Sequence, residues 1–282
     1  MKLMGFLILC TLTAAIAVRP ACAAPCDQRC LISIMHQYLR AVPLHGAAGP
    51  TLSSTADIRE NTQPVKTGGD AWAGVTKVNP GMVFADPTTA NVIYAGSVWQ
   101  AGTVMSVFVR LKVEDGKVSQ AEVLMRKARE SAGLQQPDIL YGAVVPVTRR
   151  SSRMQLIAVA NAYMDGITRH DGSIPPFDYR CDRYISGFRL TNNSLNPRGV
   201  VTCASSLDGL RGLSVVHRRF PVVDVADGIV VALFAVVNGS QSPASVGVVA
   251  EVFKVVDGKI RSIEELGAPP GNYPQDAGFP GD

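Results

Sequence analysis

Glu251 stands in a largely apolar run, VGVVAEVFKVV over residues 246–256, that leads into Asp257-Gly258. Alternating apolar residues followed by Asp-Gly read as a strand entering a β-hairpin. A two- or four-residue turn pairs Val255 with Ile260, Phe253 with Ser262 and Glu251 with Glu264, which sets two carboxyl groups side by side on one sheet face. Burial and like charge both favour the protonated form, so such a carboxyl titrates near neutral pH and can serve as a general acid or base. A three-residue turn would shift this register, and pairing with Arg218 would make Glu251 part of a structural ion pair instead.

The basic candidates lie upstream in VVHRRFPVVD. Alternation puts Val216, Arg218, Phe220, Val222 and Asp224 on one face of a strand, with His217 and Arg219 on the other. Whichever set faces a pocket supplies either a guanidinium for a carboxylate or enolate, or an imidazole for proton transfer; the other set faces solvent or a buried ion pair. No G-x-S-x-G, no G-x-x-x-x-G-K and no His pair at metal-ligand spacing occurs, so a serine hydrolase, a phosphate loop and a zinc site find no support, and no cofactor is implied.

The elements that hold these residues are duplicated. LKVEDGKV (residues 111–118) returns as FKVVDGKI (residues 253–260) at an offset of 142, and LISIMHQYLRAV (residues 31–42) returns as LIAVANAYMDGI (residues 156–167) at an offset of 125. The increase from 125 to 142 places 17 extra residues inside the second copy, between its helix and its hairpin. In the first copy Leu31, Ile34, Met35, Tyr38, Leu39 and Val42 follow helical spacing; Leu156, Val159, Ala160, Tyr163, Met164 and Ile167 do so in the second, after Ser151 and Ser152 as N-cap candidates. Gly/Pro-punctuated segments break each helix, a short strand through Ile58 or Tyr184 follows, and β-branched runs complete each copy. Helix first and antiparallel strands afterwards is an α+β pattern, a helix packed on one face of a sheet. Each copy carries its own apolar face and is expected to fold alone.

Residues 1–23 combine Lys2, an apolar run and Ala21-Cys22-Ala23, the form of a secretory signal peptide. The expected organisation is therefore a signal peptide (1–23), a first domain (26–128), a linker (129–150), a second domain (151–266) and a mobile tail (267–282), in a secreted or periplasmic protein without a membrane span. The formal charge of +4 includes Lys2 and Arg19, so the processed chain carries only half of it, too little to imply nucleic acid. Of six cysteines, Cys10 and Cys22 fall in the leader. The remaining four, an even number in an exported chain, read as two disulfides. Cys26 and Cys30 stand at the entry to the first helix, and Cys181 with Cys203 would close the insertion. C-x3-C without further ligands argues against a metal or redox site.

The helix with its inward Tyr, the Asp at the start of the next element and the hairpin of form F-K-V-x-D-G-K-I-x-x-I-E resemble the nuclear transport factor 2-like superfamily, which includes ketosteroid isomerase, scytalone dehydratase and polyketide cyclases. CDQRCL, ENTQPVKTGGDAW, RLKVEDGKV, CDRYISG and RRFPVVD together resemble an uncharacterised secreted family with two such domains. The resemblance spans about residues 26–266 and implies two tandem cones, each with N-terminal helices on a strongly curved antiparallel sheet and a pocket between. It also implies an oxyanion-stabilising role for Tyr38 or Tyr163 and a base at Asp57 or Asp182, against packing and turn roles for the same residues. Trp72, Trp99 and Gln63 give the first cone aromatic and amide character without an acid–base pair, so chemistry is expected in the second. There Glu251, Asp182 and Tyr163 are the catalytic candidates; Tyr38, Trp72, Tyr184, His217, Arg218 and Arg219 are the ligand-binding ones. The expected activity is a cofactor-independent lyase, isomerase or cyclase acting on a small apolar carbonyl compound. The alternative is a non-catalytic binding module, or one that forms homodimers through its sheets.

Overall fold

The computed structural model describes residues 26–44, 51–65, 72–129, 139–196, 199, 201–240, 245–269, 271 and 273. The signal peptide expected at 1–23, the middle of the linker and the end of the tail lie outside them. The repeat in the sequence becomes a repeat in space. The first copy comprises α1 (Gln28–Ala41), β1 (Leu52–Glu60), β2 (Gln63–Pro64), β3 (Val75–Val78), β4 (Met82–Asp86), β5 (Asn91–Gln100), β6 (Thr103–Glu114) and β7 (Lys117–Lys127). The second comprises α2 (Arg153–Arg169), β8 (Phe177–Ile185), β9 (Phe188–Arg189), β10 (Leu213–Asp224), β11 (Ile229–Asn238), β12 (Ser245–Val256) and β13 (Lys259–Gly267).

Local chemistry starts and ends these elements where the sequence signals do. Asp27 caps α1 by accepting from the Cys30 backbone N–H at 2.9 Å. Ser152, not Ser151, caps α2 and forms a reciprocal capping box with Gln155, satisfying two donors that the first turn leaves free. Both hairpins turn through two positive-φ residues, Asp115-Gly116 at 51° and 73° and Asp257-Gly258 at 53° and 69°. That is the two-residue turn whose twist matches the strands it joins, and glycine adopts its second position without steric cost.

Each copy forms one sheet, ordered β2-β1-β7-β6-β5-β3 with β4 also on β5, and β10-β11-β12-β13-β8-β9. Pairing is antiparallel except for β1 with β7 and β8 with β13. Register shifts between Lys112 and Val113, and between Lys254 and Val255, are bulges that bend the long strands around the helix. The fold is thus α+β, two tandem cones, each a helix packed on a curved, mostly antiparallel sheet. In the first, Leu31, Met35 and Tyr38 of α1 pack on Tyr94, Val109 and Val123; in the second, Leu156, Tyr163 and Met164 of α2 pack on Phe234, Phe253 and Ile263.

The outer faces of the two sheets pack on each other. Phe84, Ile93, Phe108 and Leu124 of the first copy meet Val231, Leu233, Val248 and Val252 of the second in one buried apolar layer. Polar ties cross the same boundary: Glu122 receives Arg219 at 2.8 and 3.1 Å, and Asp86 receives Arg153 at 2.6 Å. The expectation that residues 151–266 fold alone meets this layer, because the isolated fragment would expose it to water. The linker is fastened too. Tyr141 joins the layer, and Lys254 donates to the carbonyls of Ala143 and Asp227. The start of the tail, expected to be mobile, extends the sheet through Ala268 N–H to Val248 O at 3.0 Å. Among the described residues no helix is long and apolar enough to cross a membrane.

Candidate functional site

Three inward positions that are apolar in the first cone carry charged residues in the second. Ile58, Val109 and Val123 of the first copy correspond, by the repeat offsets, to Arg183, Glu251 and Glu265 of the second. The three apolar residues lie in the apolar core beneath Tyr38. Their counterparts line a cavity of about 560 Å³ in the second cone, a volume in the usual range for a small-molecule site. Most of the remaining wall is apolar, including Ile167 of α2, Phe188 of β9, Phe234 of β11 and Val249 of β12. The inserted segment adds Leu190, Asn196, Ser206 and Leu210. The Cys181–Cys203 disulfide ties that segment to β8, and a second bridge joins Cys26 to Cys30.

Glu251 is 1 % exposed, and its Oε1 accepts from the Tyr163 hydroxyl at 3.0 Å. The second carboxyl oxygen, Oε2, is buried without a hydrogen-bond partner among the described residues. Burial pushes the Glu251 carboxyl up to about 8, even though the Arg183 guanidinium 3.9 Å away and the Tyr163 hydroxyl favour its ionised form. Burial also raises the Tyr163 hydroxyl well above the ordinary phenol value, so it remains a donor. Arg183 donates to Glu265 Oε2 at 2.7 Å and to Ser206 Oγ at 3.3 Å, and lies over the Tyr163 ring at 5.8 Å. Burial opposes its charge, but Tyr163, Glu265 and Glu251 together hold the guanidinium above its ordinary value. Phe177 and Phe253 meet the Tyr163 ring edge-on and fix its plane.

The partner of Glu251 is not the expected one. The bulge after Lys254 advances the register by one residue, so Glu251 pairs with Glu265 and Val252 with Glu264. Glu264 therefore belongs to the opposite sheet face, where it accepts from the Gly187 N–H at 3.1 Å and burial pushes it up to about 8.

Asp182 also points away from the cavity. Alternation along β8 turns Arg183 inward, while the Asp182 carboxylate is held by Arg189 at 2.7 and 3.2 Å and by Asn192 at 2.9 Å. Its counterpart Asp57 pairs with Arg59 at 3.4 Å. Tyr184 shares the face of Asp182, and Arg183 lines the cavity beside it instead. A bulge in β10, with His217 at φ 51°, breaks the alternation assumed for the basic cluster. His217 consequently lies in solvent, Arg218 pairs with Asp165 of α2 at 2.8 Å, and Arg219 enters the layer between the cones to meet Glu122. None of these three lines the cavity. In the first cone Tyr38 accepts from Trp72 Nε1 at 3.1 Å inside the apolar core, so both are placed as packing residues. Arg183 and Glu265 were not among the candidates, although setting Ile58 and Val123 against them in the repeat marks both as apolar-to-charged changes.

Residues 149–267 match the family model described as "Domain of unknown function (DUF8021)". No protein of curated function matches the chain in sequence. Among solved structures, a protein of unknown function with cystatin-like fold from Methylobium petroleophilum PM1 is 19% identical, with a TM-score of 0.35 over 43% of this chain and 81% of its own. A LEH-like epoxide hydrolase of M. tuberculosis is 17% identical, with a TM-score of 0.31 over 41% and 84%. An NTF-2 like protein of unknown function from Burkholderia xenovorans LB400 is 13% identical, with a TM-score of 0.30 over 43% and 88%. Among the described residues no group of three His, Cys, Asp or Glu side chains is placed to hold a metal ion.

Proposed function

We propose that the second cone binds a small, mostly apolar carbonyl compound and acts on it as a cofactor-independent isomerase, lyase or cyclase. One observation carries this reading: the buried Glu251 carboxyl lines an apolar cavity with one oxygen held by Tyr163 and the other without a protein partner. A buried acid of this kind, with its value near 8, is a stronger base when ionised than an ordinary glutamate. Ionised Glu251 takes a proton from the carbon next to the carbonyl on Oε2. The negative charge that develops on the substrate oxygen is stabilised by Arg183, held in place by Glu265. Protonated Glu251 then returns the proton to another position, or a leaving group departs. Tyr163 acts through Glu251 by orienting its carboxyl, and Asp182, turned outward, takes no part. Two disulfides fit an oxidising compartment, and we place the protein outside the cytosol on that ground.

The homodimer form of the non-catalytic alternative meets an obstacle, which leaves ligand binding without chemistry as its remaining form. The outer sheet faces are already occupied by each other within one chain, so the sheet packing expected of a homodimer is met internally. The two readings separate when small ketones are incubated with the processed protein in heavy water and followed by proton NMR. Catalysis predicts exchange of the protons beside the carbonyl in wild type and its loss in Glu251→Gln. Binding without exchange above the buffer rate would leave the ligand-binding module and remove the enzyme.

A further inference from the structure

One charged residue of the cavity comes from outside the second cone. Arg129 follows the last strand of the first copy, and its backbone N–H donates to Ser186 O at 3.3 Å, which anchors it beside the turn between β8 and β9. Its side chain is exposed yet lines the cavity, which places it at the rim. Four chargeable side chains line this space: Arg129, Arg183, Glu251 and Glu265. Arg183 and Glu265 neutralise each other at 2.7 Å. Glu251 lies at the buried end, held by Tyr163. Among the described residues the Arg129 guanidinium has no ion-pair partner, so at the rim it is open to an anionic group of a ligand.

We propose that Arg129 is a specificity residue lent by the first copy, and that the ligand is an amphipathic acid. Its carboxylate rests against Arg129 and its apolar body fills the cavity toward Glu251. A guanidinium presents paired donors that match a carboxylate, and Arg183, the other cation of the cavity, is already engaged by Glu265 at 2.7 Å. The duplication thereby acquires a use beyond stability. The first cone supplies the sheet that braces the second, and its outgoing chain supplies the charge that selects the ligand. This inference rests on the reading of the cavity as a ligand site.

The test is calorimetric titration of the full processed protein with decanoate and with its methyl ester, in wild type and Arg129→Gln. The two probes share an apolar chain and differ in the charge of the head. Wild type is expected to bind decanoate about fivefold more tightly than the ester, the size of a partly exposed ion pair. In Arg129→Gln the ratio should fall to about one. A wild-type ratio near one, or a preference that survives in Arg129→Gln, overturns the assignment while leaving the cavity as a site for neutral ligands. Failure of both probes to bind overturns this inference and the ligand-site reading together.

Discussion

Substituting Glu251 by glutamine should stabilise the protein, by an amount that grows with pH. In the unfolded chain this carboxyl takes its ordinary value of 4.5, whereas in the fold burial pushes it to about 8. A raised carboxyl value favours folding only where both states are protonated. Stability from this group is therefore complete below pH 4.5 and is lost as pH rises toward 8. At about 1.4 kcal/mol per pH unit, the interval from 4.5 to 7 costs the folded state about 3 kcal/mol, and the whole interval to 8 about 5 kcal/mol. Glutamine keeps an acceptor for the Tyr163 hydroxyl and carries no charge to desolvate, so it escapes the cost. The assay is urea unfolding of both proteins, disulfides intact, at intervals from pH 4 to 9. Glu264 is raised by burial as well and tilts both curves alike, so the difference between them isolates Glu251. A difference that is flat with pH, or a glutamine variant that is less stable throughout, would refute the claim that Glu251 is desolvated.

Three further outcomes follow from the geometry. Replacing Arg183, Glu251 and Glu265 together by the first-cone residues, as Arg183→Ile, Glu251→Val and Glu265→Val, should preserve the fold by circular dichroism and abolish ligand binding; retained binding would mean that the charged group is not the site. Glu122→Gln should cost about 3–5 kcal/mol in denaturant unfolding, because it weakens the buried pairing of Arg219 between the cones. Cys181→Ser with Cys203→Ser should cost about 3 kcal/mol by loop entropy and weaken binding further, since the freed segment carries Ser206 and Leu210 of the cavity wall.

The sequence made the architecture legible because its signals were local. Asp-Gly turns, helix caps and apolar periodicity each act within a few residues, and the duplication let one copy check the other. Both disulfides were readable from spacing and position alone. The site was legible in part. Glu251 could be placed on the inner face from its repeat counterpart Val109, but its partner could not, because a bulge of one residue exchanges the two faces beyond it. The same physics misassigned the basic cluster: His217 adopts a left-handed backbone, and the strict alternation used for Arg218 and Arg219 ends there. Asp182 was a candidate base, set against a turn role at a strand entrance, yet it is its neighbour Arg183 that turns inward. The repeat held that information, since Ile58 is a core residue and its counterpart had to occupy a core position.

The protonation state of Glu251 in the cavity can be measured by carbon-13 NMR of the side-chain carboxyl in glutamate-labelled protein, with Glu251→Gln to assign the resonance. The structure predicts a carboxyl that titrates with a midpoint near 8 and shifts when a carbonyl ligand occupies the cavity. A midpoint near the ordinary value of 4.5, unmoved by ligand, would contradict a buried acid–base group in the second cone.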